Sequence, residues 1–146
     1  MKLGEALTRK KEIEDEITRL QNLAEDYFWY DDKPKISISQ VITEIKKLQK
    51  ERRELQSAIV NANQSNTISV EGRTLTITEA VLFKQELSDA YRLYRSFLNQ
   101  RSLFSSEEKN KPQIPLDEIE TVVRELRERI AKLDTQLQAF NWNYEL

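Results

Sequence analysis

Residues 61–78 read NANQSNTISVEGRTLTIT and form the one long interior segment that lacks the apolar period of a helix. Within this central segment, apolar and polar residues alternate on either side of Glu71 and Gly72. Such alternation is typical of strands, and glycine can take the positive φ of a tight hairpin turn. We therefore predict a β-hairpin over residues 67–77, placed between two pairs of helical segments.

Four segments outside the hairpin carry apolar residues at spacings of 3 and 4, which predicts amphipathic helices. The predicted helices cover residues 2–28, 37–63, 77–104 and 115–142. The second stripe is the most regular, with the heptad spacing of a coiled coil or bundle. Its apolar members are Ile38, Val41, Ile45, Leu48, Leu55, Ile59 and Ala62, and Arg52 interrupts it.

The similar helix lengths and mostly short connections predict a single, mainly all-α domain over residues 1–146. The simplest architecture is an elongated, antiparallel up-down-up-down four-helix bundle with the small β-hairpin between its second and third helices. The alternative is a pair of long helical hairpins that pack mainly against copies of the chain. In the fourth stripe, successive steps of four at Val122, Leu126 and Ile130 predict a local stutter. Residues 105–112 are polar and are the segment most typical of disorder.

The composition excludes several classes of site. The chain contains no Cys and no His, so a thiolate nucleophile, a Cys-based zinc site and a histidine general base are all excluded. A di-iron bundle needs Glu-x-x-His pairs and is excluded for the same reason. A single interior glycine, Gly72, is too little for a phosphate-binding loop. We therefore expect no catalysis, no metal and no cofactor.

The charge is nearly balanced, with 23 basic and 25 acidic residues and a formal net charge of −2. Basic residues of the second and fourth helices alternate with Glu at helical spacings, which favours intrahelical ion pairs over nucleic-acid binding. The N-terminal residues lack the apolar core of a signal peptide, and no run of about 18 apolar residues is present. We expect a cytoplasmic protein that binds neither nucleic acid nor membrane.

Two groups of residues are candidate contact surfaces. Four consecutive aromatics cannot share one helical face. Arg52 lies on the second seam, either with its guanidinium directed to solvent or a partner Glu, or in a buried ion pair. The candidate oligomer interface therefore consists of Tyr27, Phe28, Trp29, Tyr30 and Arg52. In an up-down-up-down bundle, the chain start, the hairpin and the chain end share one end. The candidate ligand- or partner-binding residues there are Asn63, Asn66, Arg73, Thr74, Asn141 and Trp142. The simpler alternative is that the two Asn cap a helix, Arg73 pairs with Glu145 or the C-terminal carboxylate, and Trp142 covers the hairpin.

Three short motifs together suggest a family. The chain opens MKLGEAL, carries Asn63 and Asn66 followed by GRTLT at residues 72–76, and closes NWNYEL at residues 141–146. This combination resembles the septicolysin-like family of small helical bacterial proteins, which have no established activity. The resemblance implies no catalytic residues, and the family name implies membrane lysis.

The predicted function is therefore that of a self-associating helical scaffold or interaction protein without catalysis. One alternative is the membrane-active, lytic role that the resemblance implies. The other is binding of a small ligand or a partner at the hairpin end.

Overall fold

The computed structural model describes residues 1–100 and 111–146. The described residues form four helices and one two-stranded antiparallel sheet, which confirms the predicted helices and the hairpin between the second and third. In chain order the elements are α1 Leu3–Tyr27, α2 Ile38–Ser65, β1 Thr67–Val70, β2 Arg73–Thr76, α3 Ile77–Asn99 and α4 Leu116–Asn143. The predicted C-terminal turn of the third helix and most of the predicted polar loop at residues 105–112 lie outside the described residues.

The chain divides into two compact units. The first unit comprises Met1–Gln64 together with Phe140–Leu146, and the second comprises Ser65–Ala139. Helix α4 thus contributes most of its length to the second unit and its last turn to the first. The packing of all four helices into one bundle stays a prediction.

Helices α1 and α2 form an antiparallel pair in the first unit. One apolar cluster joins the start of α1 to the end of α2 through Leu3, Ala6, Ile59 and Ala62. A second cluster joins the rest of α1, from Ile13 to Leu20, to the earlier part of α2 around Leu48. The predicted seam positions of α2 supply these contacts, as a bundle-type stripe should. Between the clusters, Arg9 on α1 binds Glu51 on α2 with an Nε–Oε1 distance of 2.9 Å.

The β-hairpin belongs to the second unit and has the expected tight turn. Thr67 pairs with Thr76 and Val70 with Arg73, which leaves Glu71 and Gly72 as the two turn residues. Both have positive φ, 50° for Glu71 and 78° for Gly72, as a type I′ turn requires. An isolated two-stranded hairpin is only marginally stable, so it needs to pack against other elements. Val70 is only 2% exposed, so this strand face supplies part of the core.

Helix α3 follows the hairpin without a loop. The Thr76 hydroxyl accepts a hydrogen bond from the Glu79 backbone N–H at 3.0 Å, which satisfies a free donor of the first turn as an N-cap residue does. Two contacts show that α3 and α4 run antiparallel: Lys84 binds Asp134, and Arg127 reaches Tyr91 seven residues further along α3.

The apolar face of α4 differs from the prediction in one position. Val123 is buried at 8% exposure and Val122 is only half-buried, because the face turns by one residue there. With Ile119, Val123 and Leu126 as the buried set, the spacing is 4 and then 3. The predicted stutter at Val122, Leu126 and Ile130 is therefore wrong, since it arose from assigning the wrong one of two adjacent valines to the core.

None of the helices among residues 1–100 and 111–146 combines the length and the apolar character that crossing a membrane requires.

Candidate functional site

The two chain ends meet in the first unit. Lys2 and Glu145 form an isolated antiparallel bridge. The Leu3 N–H donates to the Tyr144 carbonyl oxygen at 2.9 Å, and the Leu146 N–H donates to the Met1 carbonyl oxygen at 3.0 Å. We call these hydrogen-bonded residues, Met1 to Leu3 and Tyr144 to Leu146, the terminal bridge.

The Glu145 carboxylate reinforces the terminal bridge with two cations. Its oxygens lie 3.0 Å from the Met1 ammonium and 3.0 Å from Lys2 Nζ. The hydrogen bond from Lys2, followed by that from the N-terminal ammonium, lowers the pKa of Glu145. One alternative from the sequence paired Arg73 with Glu145; in the structure Met1 and Lys2 are the cations on this carboxylate.

Trp142 lies on the first turn of α1. A Cβ atom built on Gly4 would stand 2.7 Å from Trp142 Cδ2 and 2.8 Å from Cε2 and Cε3. The two ring-junction atoms and the neighbouring Cε3 lie at nearly equal distances, so the indole lies flat on the Gly4 backbone. The other side of the ring is open, since Trp142 is 52% exposed. Because Gly4 has no Cβ atom, the indole of Trp142 can lie directly on the backbone of α1.

The six candidate ligand-binding residues are divided between the two units. Asn63, Asn141 and Trp142 belong to the first unit, whereas Asn66, Arg73 and Thr74 belong to the second. Asn63 carries a buried Oδ1 that accepts no hydrogen bond from any described residue. The Asn66 carbonyl oxygen accepts from the Ile77 N–H at 3.0 Å, which closes the open end of the hairpin.

Arg73 lies on the hairpin face that meets the helices. Its guanidinium carbon is 5.3 Å from the centroid of the Phe83 ring, and that of Arg129 is 5.8 Å from the same centroid. Arg129 also binds Glu71 with distances of 2.6 and 2.9 Å, and this hydrogen bond is the main cause of the lowered pKa of Glu71. The side-chain amide of Gln136 donates to the Ser69 carbonyl oxygen at 2.7 Å. These contacts fix the hairpin to α3 and α4, so Arg73 has a structural role there.

The four aromatics at the end of α1 are the most exposed large apolar group of the first unit. We call them the aromatic tip: Tyr27, Phe28, Trp29 and Tyr30. Trp29 is 86% exposed, Tyr30 61% and Phe28 55%. The rings of Phe28 and Trp29 meet edge to face with centroids 5.2 Å apart, and Lys35 Nζ stands 5.8 Å from the Tyr27 ring centroid. Phe28 and Trp29 thus hold each other, and a cation lies over Tyr27. The other three rings of the tip each keep more than half of their surface in water.

Arg52 lies apart from the aromatic tip, near the middle of α2. It is half-buried and forms no ion pair with any residue that the structure describes. It lines an open groove of about 670 Å³ between α1 and α2, in which Lys10 binds Glu14 and Arg53 is the other nearby guanidinium. The predicted guanidinium in solvent fits this position better than the alternative of a buried ion pair.

The structure also assembles a cationic cluster that the sequence did not reveal. The Tyr91 hydroxyl accepts hydrogen bonds from Arg95 Nη1 at 3.2 Å and from Arg127 Nη2 at 3.1 Å. The bond from Arg127, followed by that from Arg95, lowers the pKa of Tyr91. Tyr91 and Arg95 are four residues apart and therefore share a helix face. Nothing local indicates Arg127, which is 36 residues from Tyr91.

Comparison with known proteins places the chain in a family. Residues 10–146 match the model of a family of unknown function, DUF6847. The crystal structure of a functionally unknown conserved protein from Corynebacterium diphtheriae is similar, with a TM-score of 0.88 and 25% sequence identity over 100% of this chain and 98% of that one. No protein with a curated description matches.

These matches correct the resemblance drawn from the sequence. The assignment to the septicolysin-like family is wrong, because the family match indicates another family and three motifs of a few residues each were too short to decide. The lytic function depended on that resemblance and is withdrawn with it. Since the match covers most of the sequence, this chain belongs to the DUF6847 family, a family of unknown function.

Proposed function

We propose that this protein is a non-catalytic interaction module that associates with a second copy of itself through the aromatic tip. The observation that carries the proposal is the exposure of Trp29, at 86%, beside two further aromatics that are more than half exposed. Large aromatic side chains gain the most free energy from burial, and contiguous exposed apolar surface marks interaction sites.

The available surface suits a modest interface between two copies. A covered aromatic side chain buries roughly 150–250 Å². Because the four side chains are only partly exposed, the area that two copies can cover approaches the about 1,200 Å² at which specific interfaces begin. The edge-to-face contact of Phe28 with Trp29 holds both rings in place, which reduces the entropy lost on association.

The charges beside the aromatic tip favour a second copy as the partner. Asp31 and Asp32 follow the aromatics directly, and Lys33 and Lys35 come next. In a two-fold symmetric dimer each patch meets its own equivalent, so the acidic residues of one copy can face the lysines of the other. A patch that carries both signs next to its apolar centre is self-complementary.

Sedimentation velocity over a range of micromolar concentrations tests the proposal. For the wild-type protein we expect an average mass that rises with concentration. For the triple variant Phe28→Ser, Trp29→Ser, Tyr30→Ser we expect the monomer mass throughout. Leu93→Ser is the matched control, because Leu93 has the same 55% exposure as Phe28 but lies on α3. A wild-type protein that stays monomeric at every concentration would refute self-association.

Two further expectations from the sequence stay predictions: ligand or partner binding by Asn63, Asn66, Arg73, Thr74, Asn141 and Trp142, and a cytoplasmic location.

A further inference from the structure

Two helices of the second unit bring two guanidinium groups to a single oxygen atom. Tyr91 and Arg95 stand one turn apart on α3, and Arg127 approaches from α4. Both guanidinium carbons also lie near the Tyr91 ring, at 5.8 Å for Arg95 and 5.9 Å for Arg127 from its centroid. The phenol thus contacts two positively charged groups, through hydrogen bonds to its oxygen and through cation–π contacts with its ring.

No carboxylate among the described residues is paired with either arginine of this cluster. Neither Arg95 nor Arg127 forms an ion pair with a described residue, and Asp89, on the preceding turn of α3, is bound to Arg92. By contrast, four arginines each bind a carboxylate: Arg9 with Glu51, Arg19 with Glu16, Arg92 with Asp89, and Arg129 with Glu71. On α4, Arg124 lies one turn before Arg127 and adds a further positive charge to that side of the helix.

The free hydrogen-bonding capacity of the cluster consists of donors. The Tyr91 oxygen already accepts two hydrogen bonds, so its own O–H remains to donate. A guanidinium group has five N–H donors and no acceptor, and each arginine uses one of them on the phenol. Guanidinium groups bind planar or tetrahedral oxyanions through two oxygens at once. The hydrogen bonds from Arg127 and Arg95 also lower the pKa of Tyr91.

We propose that Tyr91, Arg95 and Arg127 form a binding site for a tetrahedral oxyanion, either free phosphate or the phosphate group of a small phosphate ester. The anion would accept from one N–H or more of each guanidinium and from the phenol O–H, and it would neutralise the repulsion between the two arginines. Arg95 and Arg127 are exposed and Tyr91 is half-buried, so the anion reaches the site from solvent. The proposal is independent of self-association through the aromatic tip, because the three residues belong to the second unit.

The test follows the arginine Nε–Hε signals of the ¹⁵N-labelled protein while chloride is replaced by inorganic phosphate at constant ionic strength. We expect saturable shifts of the Arg95 and Arg127 signals. Because a hydrogen bond to a charged group contributes about 1.5–3 kcal/mol, Arg95→Gln and Arg127→Gln should each weaken binding by about tenfold or more. Arg19→Gln is the matched control, since Arg19 is an exposed arginine of the other unit that binds Glu16, and it should leave phosphate binding unchanged.

Further measurements distinguish free phosphate from a phosphate ester and test the role of the phenol. Methyl phosphate that binds at least as tightly as inorganic phosphate identifies a phosphate ester as the ligand; clearly weaker binding identifies free phosphate. Tyr91→Phe, which keeps the ring and removes the O–H, should weaken binding of both. Shifts that grow linearly without saturation, or that persist unchanged in both Gln variants, would overturn the site. Circular dichroism of each variant confirms that the helices are retained.

Discussion

Gly4 and Trp142 show how one missing side chain allows a contact between the two ends of the sequence. The indole lies on the Gly4 backbone, where any Cβ atom would come within 2.8 Å of the ring. Gly lowers helix stability by about 1 kcal/mol relative to Ala. At this position the flat indole contact offsets that cost.

The first prediction is that Gly4→Ala changes stability in opposite directions in the presence and in the absence of Trp142. Gly4→Ala should destabilise the wild-type protein by about 1 kcal/mol, because overpacking costs about 1–3 kcal/mol and exceeds the gain in helix propensity. In a Trp142→Ala background the same change should stabilise by up to about 1 kcal/mol, because the obstacle is gone. Urea unfolding of the four proteins measures both effects. Equal effects in the two backgrounds would show that the ring moves aside freely.

Glu71 is the second residue with an unusual conformation. It has φ 50°, which a non-glycine residue adopts at a cost, and Asn is better suited to it. Its carboxylate binds Arg129 in two hydrogen bonds, and this ion pair explains the presence of Glu in the turn.

The second prediction is an energetic coupling between the backbone strain at Glu71 and its ion pair with Arg129. Glu71→Asn relieves the strain but removes the ion pair, so in the wild-type background its net effect should be small. In an Arg129→Gln background it should stabilise by about 0.5 kcal/mol more, the typical contribution of an exposed ion pair. Thermal unfolding gives the double-mutant cycle. A coupling energy of zero would mean that Arg129 contributes nothing to the turn.

At the scale of elements, the terminal bridge contains a carboxylate whose charge couples the stability of the first unit to pH. The pKa of Glu145 is lowered in the folded protein because Lys2 and the N-terminal ammonium bind its carboxylate. A depressed pKa means that the charged form stabilises the fold. That stabilisation is fully present above the unfolded pKa of about 4.3 and disappears as the pH falls through the lower folded value.

The third prediction follows from the lowered pKa of Glu145. Glu145→Gln should unfold at lower urea concentration than the wild-type protein near neutral pH, and the difference should shrink as the pH falls below about 4.3 and through the lowered pKa of folded Glu145. Glu5→Gln serves as a control because Glu5 accepts a hydrogen bond from the Lys2 backbone N–H, whereas Glu145 binds Lys2 Nζ and the Met1 ammonium. A difference between wild type and Glu145→Gln that is constant with pH would contradict the electrostatic account.

The spacing of apolar residues predicted where the helices lie, but it did not predict which of two adjacent apolar residues is buried. The α2 stripe was correct at Leu48, Ile59 and Ala62, all of which are buried. On α4 the choice between Val122 and Val123 failed, because both fit the spacing and only packing distinguishes them. On α1, Leu7 is 38% exposed, whereas the smaller Ala6 beside it is buried.

For the whole molecule, the division into two units bears on the candidate sites. The aromatic tip belongs to the first unit and the Tyr91 cluster to the second, so self-association and anion binding are separable by mutation. The family match and the neighbour from Corynebacterium diphtheriae cover nearly the whole sequence, and both concern proteins of unknown function. The two proposed surfaces therefore give this family two specific properties to test.

The sequence by itself determined the four helices, the hairpin and its turn at Glu71 and Gly72, because these depend on the φ preferences and apolar periods of neighbouring residues. It also indicated the aromatic tip, since four adjacent aromatics cannot share one face of a helix. Only the tertiary structure brought Trp142 onto Gly4 and Arg127 onto Tyr91, and only it closed the terminal bridge. These contacts join residues far apart in the chain, and no local pattern encodes them; helix packing decides which side chains meet.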